Sequence, residues 1–112
     1  MKITHIILDR DGTLIKYIPY LFEDEKVELI NGTAEALKLL IEKKINLYLH
    51  TNQSGVGRGF FKMEHVTDCN KRMIELIGLG EGVFQETCIA TDFPPSTITF
   101  RKPSNLFASQ LI

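Results

Sequence analysis

Two aspartates one residue apart close an apolar run near the start of the chain: Asp9 and Asp11 in "ILDRDGTLI", residues 7–15. Carboxylates this close resist joint ionisation, which leaves one as an anion and the other as a proton donor. The anion can attack an electrophile, and the donor can protonate a leaving group. The same pair offers hard oxygen ligands to Mg²⁺. Gly12 permits a turn that would face Asp11 back toward Asp9. Two distant clusters extend this chemistry. Thr51 and Asn52 supply a hydroxyl and an amide, and the glycines of "NQSGVGRG" (52–59) let backbone N–H groups approach an anion. Arg101 and Lys102 add positive charge. A phosphoryl group in transfer, with charge spread over its equatorial oxygens, is what such a set would stabilise.

Each cluster also has a plainer reading. A lone DxDG is commonly a turn at a strand end. It is no EF-hand, because the sixth and twelfth positions counted from Asp9 are Leu14 and Tyr20, where Gly and Glu are required. "GVGRG" lacks the GK[ST] of a P-loop, and Phe60 breaks the dinucleotide pattern. Arg101 and Lys102 alone would be a solvated pair. His5, His50 and His65 have no ligand spacing and read as structural or surface residues. Tyr17, Tyr20 and Phe22 read as packing residues, and Cys69 and Cys88 as buried free thiols.

The elements that must position these residues follow from periodicity. "ITHIIL" (3–8), "INLYLHT" (45–51) and "VFQETCIAT" (83–91) read as strands. Residues 14–30 read as a short hairpin or flap. From Thr33 to Lys44 the pattern is helical, with Ala36, Leu37, Leu40 and Ile41 on one face and Asn31 or Thr33 as cap. Residues 52–59 read as a loop. Residues 62–77 read as a helix with Val66, Cys69, Met73 and Ile77 on one side. Residues 101–112 read as the opening of a helix capped by Ser104. Strands alternating with helices imply an α/β domain with a parallel sheet, and in such sheets ligands bind at the carboxyl ends of the strands. Asp9 and Asp11, Thr51 and Asn52, and the Arg101–Lys102 pair all fall beyond such ends.

The 112 residues are read as a single domain, 1–112. Apolar residues make up 44%, charged residues 24%, and the net charge is −1, so nothing in the composition suggests a polybasic surface for nucleic acid or anionic membrane. No run is long enough to span a bilayer, and the N-terminus lacks a signal-peptide pattern, so a cytoplasmic location is expected.

Taken in order, the clusters resemble the haloacid dehalogenase (HAD) superfamily of phosphatases. "DRDGTL" resembles its DxDGT motif, "HTNQSGVGRGFF" its second motif, and "RKP" its third. The long second motif is similar to the branch holding heptose-bisphosphate and histidinol-phosphate phosphatases, and the polynucleotide kinase 3′-phosphatase domain shares much of it. The resemblance implies a HAD-like Rossmannoid three-layer sandwich. It implies that Asp9 forms an aspartyl-phosphate, that Asp11 is the acid and base, and that Thr51 and Lys102 hold phosphoryl oxygens. Asn52, Arg58 and Arg101 would contact substrate, and Mg²⁺ would take the Asp9 carboxylate and the Asp11 carbonyl.

Two departures from the family pattern carry expectations. Residues 88–103 hold one cysteine and no histidine, so the zinc loop of many members is expected to be missing. The acidic fourth motif should follow "RKP", but Ile112 ends the sequence, and Asp24, Asp68 and Asp92 stand in the wrong context to replace it. The fold is therefore expected to be incomplete at the C-terminus, Mg²⁺ to bind weakly, and strand one to become a sheet edge. An open apolar edge favours self-association. The leading expectation is a phosphomonoesterase acting on a small sugar or metabolite phosphate, with "EDE" (23–25) arguing against DNA. The alternatives are a polynucleotide 3′-phosphatase and a catalytically impaired fragment with a binding role.

Overall fold

Short β-branched runs separated by amphipathic helices satisfy their backbones only by pairing with one another across the helical crossovers. The computed structural model, which describes residues 2–92, 102 and 106–111, shows that pairing. The strands are β1 (His5–Leu8), β2 (Asn46–Asn52) and β3 (Glu86–Ala90). They form a parallel sheet in the order β1-β2-β3, with Leu8 beside Leu49 and Asn52 beside Ala90. β1 and β3 are shorter than their apolar runs by a few residues, and β2 is shifted by one, starting at Asn46 and ending at Asn52.

Helices α1 (Thr33–Glu42) and α3 (Met63–Ile77) cover one face of the sheet. Leu47 and Leu49 of β2 are buried there with Leu37 of α1 and Cys69, Met73 and Ile77 of α3. The expected α3 face is observed: Val66, Cys69, Met73 and Ile77 are all buried. The α1 face is narrower than expected. Thr33 and Leu37 are buried and Leu40 packs against the core, whereas Ala36 and Ile41 are exposed. Its cap also differs. Gly32 occupies the cap position in a left-handed conformation, and the Thr33 hydroxyl donates to the Leu14 carbonyl at 2.9 Å. Thr33 thus ties the flap to the helix instead of capping it. On the opposite face, Phe107 of α4 (Leu106–Gln110) is buried against the ring of His50, with centroids 5.0 Å apart.

The flap is a hairpin, as its sequence suggested. Lys16 N–H donates to Glu28 and Ile30 N–H to Leu14, and a 3-10 turn at Asp24–Lys26 lies between the arms. Leu14, Ile15, Leu21 and Val27 from this segment enter the core. Residues 52–59 are not purely a loop: Ser54–Gly57 form a single helical turn, α2. Among the described residues, no helix is long and apolar enough to cross a membrane. Arg101, the Ser104 cap and Ile112 lie outside the described residues.

Candidate active site

Parallel pairing puts the ends of β1 and β2 side by side, and the polar clusters converge there. Beyond β1, Gly12 adopts φ +83 and its N–H donates to the Ile15 carbonyl, closing the turn. The two carboxylates have different partners. The Lys102 ammonium lies 2.5 Å from Asp9 Oδ1, and the Thr13 hydroxyl 3.5 Å from Oδ2. The Asp11 carboxylate instead accepts from Gln53 Nε2 at 2.8 Å and lies 3.5 Å from the Thr51 hydroxyl. Gln53 Nε2 also donates to Thr51 Oγ1 at 2.7 Å, which closes a three-membered ring of contacts. Arg10 donates to both Asp11 oxygens at 3.2 Å. Each carboxylate thus has its own cation, Lys102 for Asp9 and Arg10 for Asp11.

Lys102 is placed by Asn52. The Asn52 side chain accepts the Lys102 N–H at 2.9 Å and donates to the Lys102 carbonyl at 3.3 Å. This two-point clasp joins positions 50 residues apart and acts on main chain, so it fixes where the lysine stem begins. Asn52 therefore has a positioning role that its reading as a substrate contact did not contain. Arg58 follows α2 as its C-cap and is exposed, and Arg101 lies outside the described residues.

A cavity of about 250 Å³ opens beside these groups, lined on one side by Asp11, Asn52, Gln53, Ser54 and Gly55. Tyr17, Ile18, Tyr20 and Leu21 of the flap form the other side. Tyr20 sits edge-on to Phe60 with centroids 4.9 Å apart, and Phe22 stacks on Phe61 and meets His65. These rings do pack, yet Tyr17, Tyr20 and Phe60 remain more than half exposed. A larger groove of about 670 Å³, between α3 and β3, is lined by none of Asp9, Asp11, Thr51 and Lys102.

Three participants were not legible as such. Arg10, Gln53 and Asn70 are buried, and Asn70 Oδ1 accepts from Arg10 Nη1 at 2.9 Å. A signal for Asn70 existed: it interrupts the apolar stripe of α3 between Val66 and Met73. Arg10 also bears on its neighbour Cys69. Burial pushes that thiol up to about 11, with the guanidinium acting in the opposite direction.

Comparison with known proteins bears on this geometry. No family model matches the chain. It is 33% identical over 99 residues to a probable D-glycero-D-manno-heptose-1,7-bisphosphate 7-phosphatase of Thermoplasma acidophilum, covering 88% of this chain and 61% of the relative. It is 31% identical over 100 residues to the histidine biosynthesis bifunctional protein HisB of Xylella fastidiosa, covering 88% of this chain and 27% of HisB. Among solved structures, the D,D-heptose 1,7-bisphosphate phosphatase of B. bronchiseptica, complexed with magnesium and phosphate, matches with a TM-score of 0.85 at 24% identity. That match covers 97% of this chain and 62% of the other. The chain thus spans less than two thirds of these relatives.

Proposed function

From a HAD-like fold and sequence kinship with heptose-bisphosphate phosphatases and HisB, we propose that this chain is a phosphomonoesterase acting on a small sugar or metabolite phosphate. The observation that carries the reading is the meeting of three separate stretches at one rim: Asp9 with Lys102, and Asp11 with Thr51 and Gln53. Asp9 attacks phosphorus, forming an Asp–O–P bond as the P–O bond to the leaving group breaks. Asp11 gives that oxygen its proton. Water then attacks the aspartyl-phosphate while Asp11 takes up a proton, releasing inorganic phosphate and restoring the Asp9 carboxylate. Lys102 and Thr51 offset the charge that builds on the phosphoryl oxygens. Arg58 and Arg101 would contact the distal part of the substrate.

The donor set suits Mg²⁺ in a limited way. The Asp9 side chain is 41% exposed, and the Asp11 main-chain carbonyl would be a second hard oxygen. Among the described residues, no three acidic, histidine or cysteine side chains cluster to hold a metal by themselves. Mg²⁺ commonly binds through one or two protein carboxylates, keeping waters and taking substrate phosphate oxygens. Weak affinity, with the substrate completing the shell, is therefore part of the proposal. When bound, the cation would neutralise phosphoryl charge. The reading includes no zinc site, because residues 88–103 offer one cysteine and no histidine.

The exposed edge of β1, with Ile3 and Ile7 at the surface, is proposed to support self-association. A sedimentation profile of a micromolar monomer would contradict that part alone. The function is tested by assaying heptose 1,7-bisphosphate, histidinol phosphate and a 3′-phosphorylated oligonucleotide with millimolar Mg²⁺. Turnover of a small phosphate that is lost in Asp9→Asn supports the reading. Turnover of the oligonucleotide alone would move it to the 3′-phosphatases, and no turnover would leave a binding role.

A further inference from the structure

Arg10 stands between the two carboxylates in sequence, yet its side chain is turned fully out of solvent. Nε and Nη2 donate to the two oxygens of Asp11, and Nη1 donates to Asn70 Oδ1 on α3. A planar fork that grips both oxygens sets the plane of a carboxylate as well as its position. The backbone of Arg10 is held too: its carbonyl accepts the N–H groups of Thr13, Leu14 and Ile15 at 3.3, 2.9 and 3.2 Å. Burying a guanidinium is costly unless every donor finds a partner, and a turn after β1 requires no charge at this position. Asn70 is equally out of place as a polar residue in the apolar stripe of α3, and its position is explained by the guanidinium it meets.

We propose that Arg10, oriented by Asn70, is a positioning residue that sets the angle at which Asp11 meets the leaving-group oxygen. The inference rests on the phosphomonoesterase reading and assigns α3 a part in it. Gln53 holds the same carboxylate from the end of β2, so Asp11 is fixed from two elements. Misalignment of Asp11 would impair proton delivery most where the leaving group needs a proton, and least where it departs as a stable anion.

The test is a series of phosphate monoesters from p-nitrophenyl through phenyl to benzyl phosphate. It is read as kcat/KM, which reports the steps up to loss of the leaving group. Asn70→Ala should fall at least about tenfold further on benzyl phosphate than on p-nitrophenyl phosphate. Asn70→Asp, which keeps an acceptor for Arg10, should restore the wild-type slope. A uniform loss across the series in an Asn70→Ala protein that still melts cooperatively, or no loss, overturns the clamp. If Asn70→Ala does not fold, Arg10→Lys, which keeps the charge without the fork, carries the same comparison with the same two outcomes. Failure of the parent reading is distinct: no wild-type turnover, or turnover that survives Asp9→Asn, removes the clamp along with it.

Discussion

The two sides of the candidate cavity face the same space and are held in opposite ways. On the floor, Asp11 and Gln53 are backed by Arg10 and Thr51; Arg10, Thr51 and Gln53 are nearly or wholly buried, and contacts of 2.7 to 3.5 Å join each of them to Asp11 and Gln53 to Thr51. On the wall, Tyr17 and Tyr20 leave 63% and 51% of their surface in water, and Tyr20 leans on Phe60, which is itself 60% exposed. Buried polar groups must be fully satisfied, so the floor admits few geometries and few substitutions. Exposed rings stacked on one another can shift together at small cost. On the proposed function, the floor would hold the group common to all substrates, the phosphoryl, and the wall the part of a substrate that varies.

The largest expected effect is at the rim beside the floor. Asp9→Asn should lower kcat by about a thousandfold or more while the thermal midpoint stays near wild type, because Asp9 is partly exposed. A variant that retained a tenth of wild-type activity would break the distinction between an indispensable rim and floor and a tolerant wall. Next in size is Gly55→Ala, where the two sides touch. A Cβ there would lie 2.4 Å from the Phe61 ring, which is buried and stacked on Phe22. Overpacking of this kind costs about 1–3 kcal/mol, visible as a lower denaturant midpoint. Tyr20→Ala should act only on the wall. Its KM for a sugar phosphate should rise a few fold, with stability changed by less than about 1 kcal/mol. An equal rise in the inhibition constant of inorganic phosphate would place Tyr20 on the floor. The smallest effect concerns Cys69 beneath the floor. Its thiol holds its proton to about pH 11 in the fold and only to about 9 unfolded, so stability should fall as pH rises through that interval. Below pH 9 the thiol contributes no pH dependence, and alkylation of Cys69 at pH 8 should require unfolding. Rapid native alkylation would show a looser floor than the contacts describe.

The sequence made the proposed reactive groups visible because the proposed chemistry restricts residue type: two carboxylates just past β1, a hydroxyl near the end of β2 and an amine further along the chain than β3. It left their supports obscure. Arg10 occupies a position where the motif admits any residue, and only packing shows that it turns inward. Gln53 looks like one more polar residue in a glycine-rich stretch until Asp11 and Thr51 are seen to share its amide. The alternation of strands with helices and the α3 face followed from periodicity. The α1 cap did not, because a tertiary contact between Thr33 and Leu14 competes with the local capping bond and prevails. Gly55 was read as giving backbone access to an anion, and its packing reason, the Phe61 ring, lies six residues away in a region whose sequence shows no period.

On the proposed function, the Asp9 carboxylate becomes covalently phosphorylated at the rim where Lys102, Thr51 and Asp11 converge. Mixing the protein with p-nitrophenyl phosphate and Mg²⁺, quenching in acid within milliseconds and mapping the peptides by mass tests it directly. One phosphoryl group is expected on the peptide containing Asp9, and none in Asp9→Asn. A protein that turns over substrate with no label there, or with the label on another residue, would contradict it.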